Sequence, residues 1–189
     1  MSTKKSSHTK SKQGSLFSSG RTAIILLVLA GIGLTAILAL NNTQAGEKVA
    51  IMSDTSHIPE GTNPNPYNSN PPTSGIHYPI DLKPGFYTEN TYAYPEGYLV
   101  HNLEHGYVIF WYNCGLLSDS ECTTLKGQIK AVMDEKNNFK MIAYPWDKTD
   151  VPVVLTSWGR ILPMESFDRD AALNFYRRNL NKAPEPNAD

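Results

Sequence analysis

The chain has 189 residues, of which 40% are hydrophobic and 19% are charged, and it contains only two cysteines. This composition is typical of one globular domain with extensions, and it excludes a collagen-like chain, a fully disordered chain and a disulfide-rich miniprotein. The net charge of −1 is unevenly distributed, because residues 1–21 hold five basic side chains and no acidic one. The remainder is therefore acidic, which argues against nucleic-acid binding.

The first predicted element is a transmembrane helix over residues 22–40, a stretch of 19 residues without a charge. At about 1.5 Å per residue it can cross a hydrocarbon core of about 30 Å. The basic residues of the tail, 1–21, all precede it, so the positive-inside rule predicts a cytoplasmic N-terminus and an extracytoplasmic remainder. We therefore expect a single-pass protein of the cell membrane. The alternative is a signal peptide cleaved near Thr43-Gln44-Ala45.

A proline-rich segment follows the predicted linker of residues 41–56. Residues 57–97 contain eight of the 13 prolines, and the fixed φ and missing N–H of proline exclude long helices and central strands there. Several tyrosines lie in the same segment, so it can pack on a core as an ordered loop region. We expect the extracytoplasmic domain to span residues 57–183, with a short tail at 184–189.

The rest of the domain has regular patterns. Tyr107–Tyr112 is a continuous apolar and aromatic run that predicts a buried strand. Ser118 and Glu121 form a capping-box signature that predicts the start of a helix. In chain order the predicted elements are a strand at 107–112, a helix at 119–136, strands at 141–144, 153–156 and 161–162, and a helix at 167–180. This order predicts an α+β fold with a small mixed sheet, and it resembles a thioredoxin-type half.

Histidines provide the main candidate site. His101, Glu104 and His105 would share an arc of about 100° on a helix, so one metal ion could contact both imidazoles. Gly106 is suited to end that helical piece in a left-handed conformation before the strand.

Two other interpretations of these residues remain open. The spacing matches H-x-x-E-H, which predicts a zinc-dependent hydrolase with Glu104 as general base, although that motif normally lies within a long helix. The histidines could instead be packing residues that hydrogen-bond loop carbonyls, in a structural or partner-binding domain.

The proline-rich segment contributes further histidines. Pro71-Pro72 and a Ser74-Gly75 turn precede His77, and this combination holds a side chain in place without regular structure. His57 opens the same segment. A zinc or copper ion needs three or four ligands. We therefore predict a transition-metal site drawn from this set: His57, His77, His101, Glu104 and His105.

Cys114 and Cys122 have seven residues between them. In an oxidising compartment they are expected to form a disulfide. A redox role is the alternative, but Cys-x-x-Cys at a helix N-terminus, the arrangement that lowers a thiol pKa, is absent from the sequence.

Four segments together resemble a known family, the prokaryotic domain of unknown function 3105: PPTSGIHYP at 71–79, GFY at 85–87, VHNLEHGYVIFWY at 100–112 and LTSWGRIL at 155–162. The resemblance covers residues 57–180. It implies a short membrane span followed by one extracytoplasmic domain, with family histidines at His57, His77, His101 and His105 and a glutamate at Glu104. It implies no assigned activity, and its association with bacterial copper handling favours copper as the metal. The cysteine pair is not part of the family's core pattern.

Overall fold

The structure is a computed structural model, and it describes residues 23–32 and 43–188. The chain divides into two units, residues 1–42 and residues 43–189. In the first unit, residues 23–32 form a helix, α1. The predicted cytoplasmic tail, residues 1–21, and the rest of the predicted span, residue 22 and residues 33–40, lie outside the described residues. Among the residues that are described, no helix has the length and apolar character needed to cross a membrane.

The second unit is a mixed α+β domain. Its elements are β1 (Glu47–Lys48), β2 (Gly85–Phe86), α2 (Pro95–Glu104), β3 (Val108–Tyr112), a 3₁₀ turn (Cys114–Leu116), α3 (Asp119–Glu135), β4 (Met141–Pro145), β5 (Val153–Ser157), β6 (Arg160–Met164) and α4 (Arg169–Asn179). The strands and helices predicted after residue 106 are therefore confirmed, with boundaries that differ by a few residues. β1 lies within the segment that the sequence analysis assigned to the linker.

The strands form one six-stranded sheet in the order β1-β6-β5-β3-β4-β2. β3 is central and pairs in parallel with β4, with Val108 opposite Met141. On its other side β3 pairs antiparallel with β5, with Phe110 opposite Leu155. α3 connects the two parallel strands, as a parallel connection requires a crossover. The prediction of a mixed sheet is confirmed.

The sheet is covered on both faces. Val108, Phe110 and Tyr112 of β3 belong to a core cluster with side chains of α3 and α4. The intervening Ile109 and Trp111 belong to a second cluster with α2 and the proline-rich segment. This division follows from the two-residue period of a strand, and it explains why β3 reads as a continuous apolar run.

The start of α3 agrees closely with the sequence. The Ser118 Oγ accepts from the Glu121 N–H, and Glu121 Oε2 accepts from the Ser118 N–H at 2.9 Å, so the predicted capping box is confirmed. Cys114 and Cys122 form a disulfide, with their Cα atoms 5.3 Å apart. This bond joins the 3₁₀ turn that follows β3 to the first turn of α3.

α2 extends the helical piece predicted around His101. It begins at Pro95, a residue suited to the first position of a helix because its missing N–H would have no helical partner there. All ten of its residues are buried. A helix buried on every side has no amphipathic stripe, which is why periodicity alone does not reveal it.

A candidate metal centre between helix α2 and the proline-rich segment

Helix α2 supplies two of the candidate ligands from its last turn. His101 is 8% exposed and Glu104 is 8% exposed, and the three-residue spacing places both side chains on one side of the helix. Gly106 follows with φ of 82°, so the predicted left-handed end of this helix is confirmed. A Cβ at Gly106 would lie 2.6 Å from Asn181 Cα, which makes glycine necessary for the close approach of the C-terminal segment.

The proline-rich segment supplies two further candidate ligands, His57 and His77. His57 and His77 face each other in an isolated parallel bridge. The bridge is held by hydrogen bonds from the Ile58 N–H to the His77 carbonyl at 2.8 Å and from the His77 N–H to the Ser56 carbonyl at 3.3 Å. His77 is fully buried, whereas the His57 side chain is 47% exposed. One side of the site is therefore open to solvent.

These four residues converge. His57, His77, His101 and Glu104 each offer a ligand atom, and the four atoms all lie within 4.8 Å of one another. The imidazole centroids are 4.7 Å apart for His57 and His77, 5.2 Å for His57 and His101, and 5.3 Å for His77 and His101. The three rings and the carboxylate thus surround one small volume.

The hydrogen bonds of His77 define its tautomer. Its Nδ1 lies 2.8 Å from the Gly75 carbonyl oxygen. Because a carbonyl oxygen can only accept, Nδ1 carries the proton. The opposite nitrogen, Nε2, lies 2.9 Å from Glu104 Oε2, and the same oxygen is 3.7 Å from His57 Nε2.

His101 is set up to remain neutral. Burial, followed by the charges of His105, His77 and His57, lowers the pKa of His101 to about 4. At neutral pH its ring therefore keeps a free lone pair. The Nδ1 of His101 is buried and has no hydrogen-bond partner among the described residues, which is an unusual state for a buried polar atom.

His105 lies outside the converging group. Its ring contacts that of His101 at a centroid distance of 4.4 Å, and its Nε2 lies 3.8 Å from Glu185 Oε2. Of the five predicted metal ligands, the structure thus brings four together and places the fifth beside them, toward the C-terminal segment.

Two residues that position the site were not predicted. The Gly97 carbonyl accepts from the Tyr78 N–H at 3.0 Å, and a Cβ at Gly97 would lie 2.4 Å from the Tyr78 ring. Asn102 bonds both backbone groups of Leu82, accepting at 3.0 Å and donating at 2.8 Å. Gly97 and Asn102 therefore hold the segment carrying His77 against α2. The sequence signals that could have identified them were a glycine four residues before His101 and an asparagine directly after it.

Comparisons with known proteins agree with the family resemblance. The family model described as "Protein of unknown function (DUF3105)" matches residues 57–189. No curated protein and no solved structure matches the chain. The matched residues include all four converging side chains.

Proposed function

Because the chain belongs to the DUF3105 family of proteins of unknown function, whose description assigns no activity, we propose a function from the site itself. The domain binds one transition-metal ion, copper or zinc, through His57, His77, His101 and Glu104. The convergence of these four ligand atoms within 4.8 Å is the observation that carries the proposal.

The contact between His77 and Glu104 supports a cation at this point. With its proton on Nδ1, His77 can offer the Nε2 lone pair to a metal ion, and Glu104 Oε2 lies 2.9 Å from that nitrogen. Two acceptors without a hydrogen between them do not attract each other, so the pair suits either a shared proton or a metal ion. A proton on Nε2 satisfies the pair, and a bound metal ion satisfies it together with His57 and His101.

The separations of Glu104 Oε2 from the Nε2 atoms of His77 and His57, 2.9 Å and 3.7 Å, suit one ion. A metal 2.0–2.1 Å from these atoms would see the His77 nitrogen and the Glu104 oxygen at roughly 90°, and the His57 nitrogen and that oxygen at roughly 130°. Two atoms bound to one ion at this distance are no more than about 4.2 Å apart, so a pair near the 4.8 Å limit of the group must draw together when the ion binds. Three imidazoles and one carboxylate are a ligand set suited to zinc or copper, whereas calcium and magnesium prefer oxygen ligands.

A binding role is favoured over hydrolysis. In a metallohydrolase the general base must stand free of the metal and reach a bound water. Here Glu104 belongs to the converging ligand set and contacts His77 directly. With Glu104 as the fourth ligand the site has no dedicated base, and a role in holding, delivering or sensing the metal follows.

We also propose that residues 22–40 anchor the domain outside the cell membrane, which is supported by the uncharged stretch and the preceding basic tail. Protease added to intact protoplasts should digest the domain and spare an N-terminal tag. Protection of the domain would overturn this topology.

The strand order β6-β5-β3-β4, with α3 between the parallel strands, further supports the interpretation of the domain as thioredoxin-like.

The metal proposal is tested by elemental analysis and competitive titration of the purified full-length protein with Zn²⁺ and Cu²⁺. We expect one ion per chain. His77→Ala, His101→Gln and Glu104→Gln should each weaken binding by more than about 100-fold, since they remove inner ligands rather than supporting groups.

The matched controls are His8→Ala, in the predicted tail, and His105→Gln, beside the group. His8→Ala should leave the affinity unchanged, and His105→Gln should weaken binding less than His101→Gln does. Visible spectra of the Co²⁺ form should show four-coordination. Equal effects of all the histidine variants, or no stoichiometric binding, would refute the site.

A further inference from the structure

A pocket apart from the candidate metal centre lies between the proline-rich segment, the beginning of α2 and residues 146–148. Its volume is about 270 Å³, and its lining includes Tyr67, Ser69, Glu96, Trp146 and Lys148. None of the histidines lines it. Of its lining residues, Glu96 and Trp146 are buried, whereas Asn65 and Lys148 are exposed, so part of the lining faces solvent.

Glu96 is the unusual residue of this pocket. It is 2% exposed, and its Oε1 accepts a hydrogen bond from Asn65 Nδ2 at 2.8 Å. Its Oε2 is buried and has no hydrogen-bond partner among the described residues. A buried carboxylate normally has its oxygens hydrogen-bonded or paired with a positive charge, because burying it without partners is costly.

The neighbouring donors are engaged elsewhere. The Tyr67 hydroxyl donates to the Ile76 carbonyl at 2.9 Å, and the Trp146 indole N–H donates to Asn70 Oδ1 at 2.9 Å. Burial, followed by the charge of Glu96, raises the pKa of Tyr67, so that this hydroxyl stays neutral. The Oγ of Ser69 is also buried and has no partner in the described part of the chain. Glu96 and Ser69, two of the residues that line the pocket, therefore each have a buried oxygen without a protein partner.

The aromatic walls suit a cation. Lys148 places its Nζ 4.3 Å from the centroid of the Trp146 ring. Aromatic faces attract positive charge, and this position of the ammonium group is consistent with that attraction. Lys148 itself is exposed at the rim, and among the described residues it makes no hydrogen bond or ion pair with Glu96.

We propose that this pocket binds a small primary ammonium ion. Its N–H groups donate to Glu96 Oε2 and Ser69 Oγ, and its short carbon chain lies against Tyr67 and Trp146. A divalent metal ion is the poorer fit, because it would require more oxygen ligands than the two unpartnered ones. This site is separate from the metal centre, and the inference does not depend on the proposed metal function.

The test is a calorimetric titration of the purified full-length protein with n-butylammonium chloride. We expect saturable binding with one site per chain. Tetramethylammonium, which keeps the charge but has no N–H, should bind at least about tenfold more weakly, since charged hydrogen bonds are lost. n-Butanol, which keeps the chain but has no charge, should not saturate. Equal binding of butanol and butylammonium, or no saturable binding of butylammonium, would overturn the proposal.

Variants locate the site. Glu96→Gln should weaken butylammonium binding at least about tenfold, and the matched control Glu165→Gln, which makes the same change at an exposed position, should leave it unchanged. Lys148→Gln should strengthen binding, because it removes a competing cation from the indole face. If Glu96→Gln does not fold, as judged by near-UV circular dichroism, Ser69→Ala replaces it and should weaken binding. Unchanged affinity in Glu96→Gln, or weaker binding in Lys148→Gln, would refute the assignment.

Discussion

The two faces of the sheet differ in the kinds of side chain that they bury. On one face, α3 and α4 cover β3 with aliphatic and aromatic side chains; neither helix buries a charged residue, and Asn179 is the buried polar residue of α4. On the other face, α2 and the proline-rich segment bury His77, Glu96, His101, Asn102 and Glu104. One strand, β3, contributes alternate residues to both.

This contrast suggests that one face mainly stabilises the domain and that the other mainly binds ligands. The face with α3 and α4 gains free energy from apolar burial, which is non-directional and tolerates small rearrangements. The face with α2 buries polar groups, which must each find a partner in a defined geometry. We therefore expect substitutions on the first face to alter the free energy of unfolding, and substitutions on the second to alter ligand binding.

The largest expected effect is on the apolar face. Phe110→Ala should lower the free energy of unfolding by about 3–5 kcal/mol, because it leaves a cavity beneath α3 and α4. Chemical denaturation of the metal-free protein measures this change. Phe139→Ala is the control, since Phe139 is 53% exposed. A loss of metal affinity in folded Phe110→Ala, measured at low denaturant, would show that the two faces are not independent.

The disulfide belongs to the same face and gives the next largest effect. Replacing Cys114 and Cys122 together by serine should lower stability by about 2–3 kcal/mol, since the cross-link restricts the unfolded chain. Metal stoichiometry and affinity should not change. Thiol titration of the unfolded, unreduced wild-type protein should detect no free thiol. Two free thiols, or loss of metal binding in the double variant, would contradict this structural role.

The contrast also explains how much of the molecule the sequence predicts. The elements from β3 to α4 follow from apolar periodicity and the Ser118 capping box, because local patterns set both. The bridge between His57 and His77 has no local pattern. It is formed by backbone hydrogen bonds between His77 and residues 56 and 58, about 20 residues earlier, while Gly97 and Asn102 of α2 contact the neighbouring Tyr78 and Leu82. The candidate metal ligands were therefore predictable from the sequence. That His105 lies outside the converging group, and that Glu104 lies beside His77 within it, depends on tertiary contacts.

The third effect distinguishes the faces by pH. In the unfolded chain His101 should titrate near 6.5, whereas in the folded protein burial and neighbouring histidines lower its pKa to about 4. Between these values the unfolded state binds the additional proton, so the stability of the metal-free protein should fall as the pH falls from 6.5 to 4. We expect a contribution on the order of 2 kcal/mol.

Denaturation of wild type and His101→Gln across this pH range, with chelator present, isolates the contribution of His101 to the free energy of unfolding. Exposed carboxylates contribute to both proteins equally, so the difference between the two curves reports His101. A difference that is constant with pH would mean that burial does not hold His101 neutral.

The smallest effects come from one glycine in each of two helices, and they should have opposite signs. Gly127 lies exposed in α3, where a Cβ would meet nothing within 4 Å. Gly127→Ala should therefore stabilise the protein by about 0.5–1 kcal/mol through helix propensity alone.

Gly97 lies in α2, where a Cβ would be 2.4 Å from the Tyr78 ring. Gly97→Ala gains the same propensity but must displace Tyr78, and since such overpacking typically costs 1–3 kcal/mol, we expect a net loss of about 1 kcal/mol. His77 adjoins Tyr78, so this variant should also weaken metal binding, whereas Gly127→Ala should not. Thermal denaturation and metal titration of the two variants side by side measure both effects. If Gly97→Ala retains wild-type metal affinity, the packing of Tyr78 on α2 does not position His77, and the bridge with His57 must hold this ligand by itself.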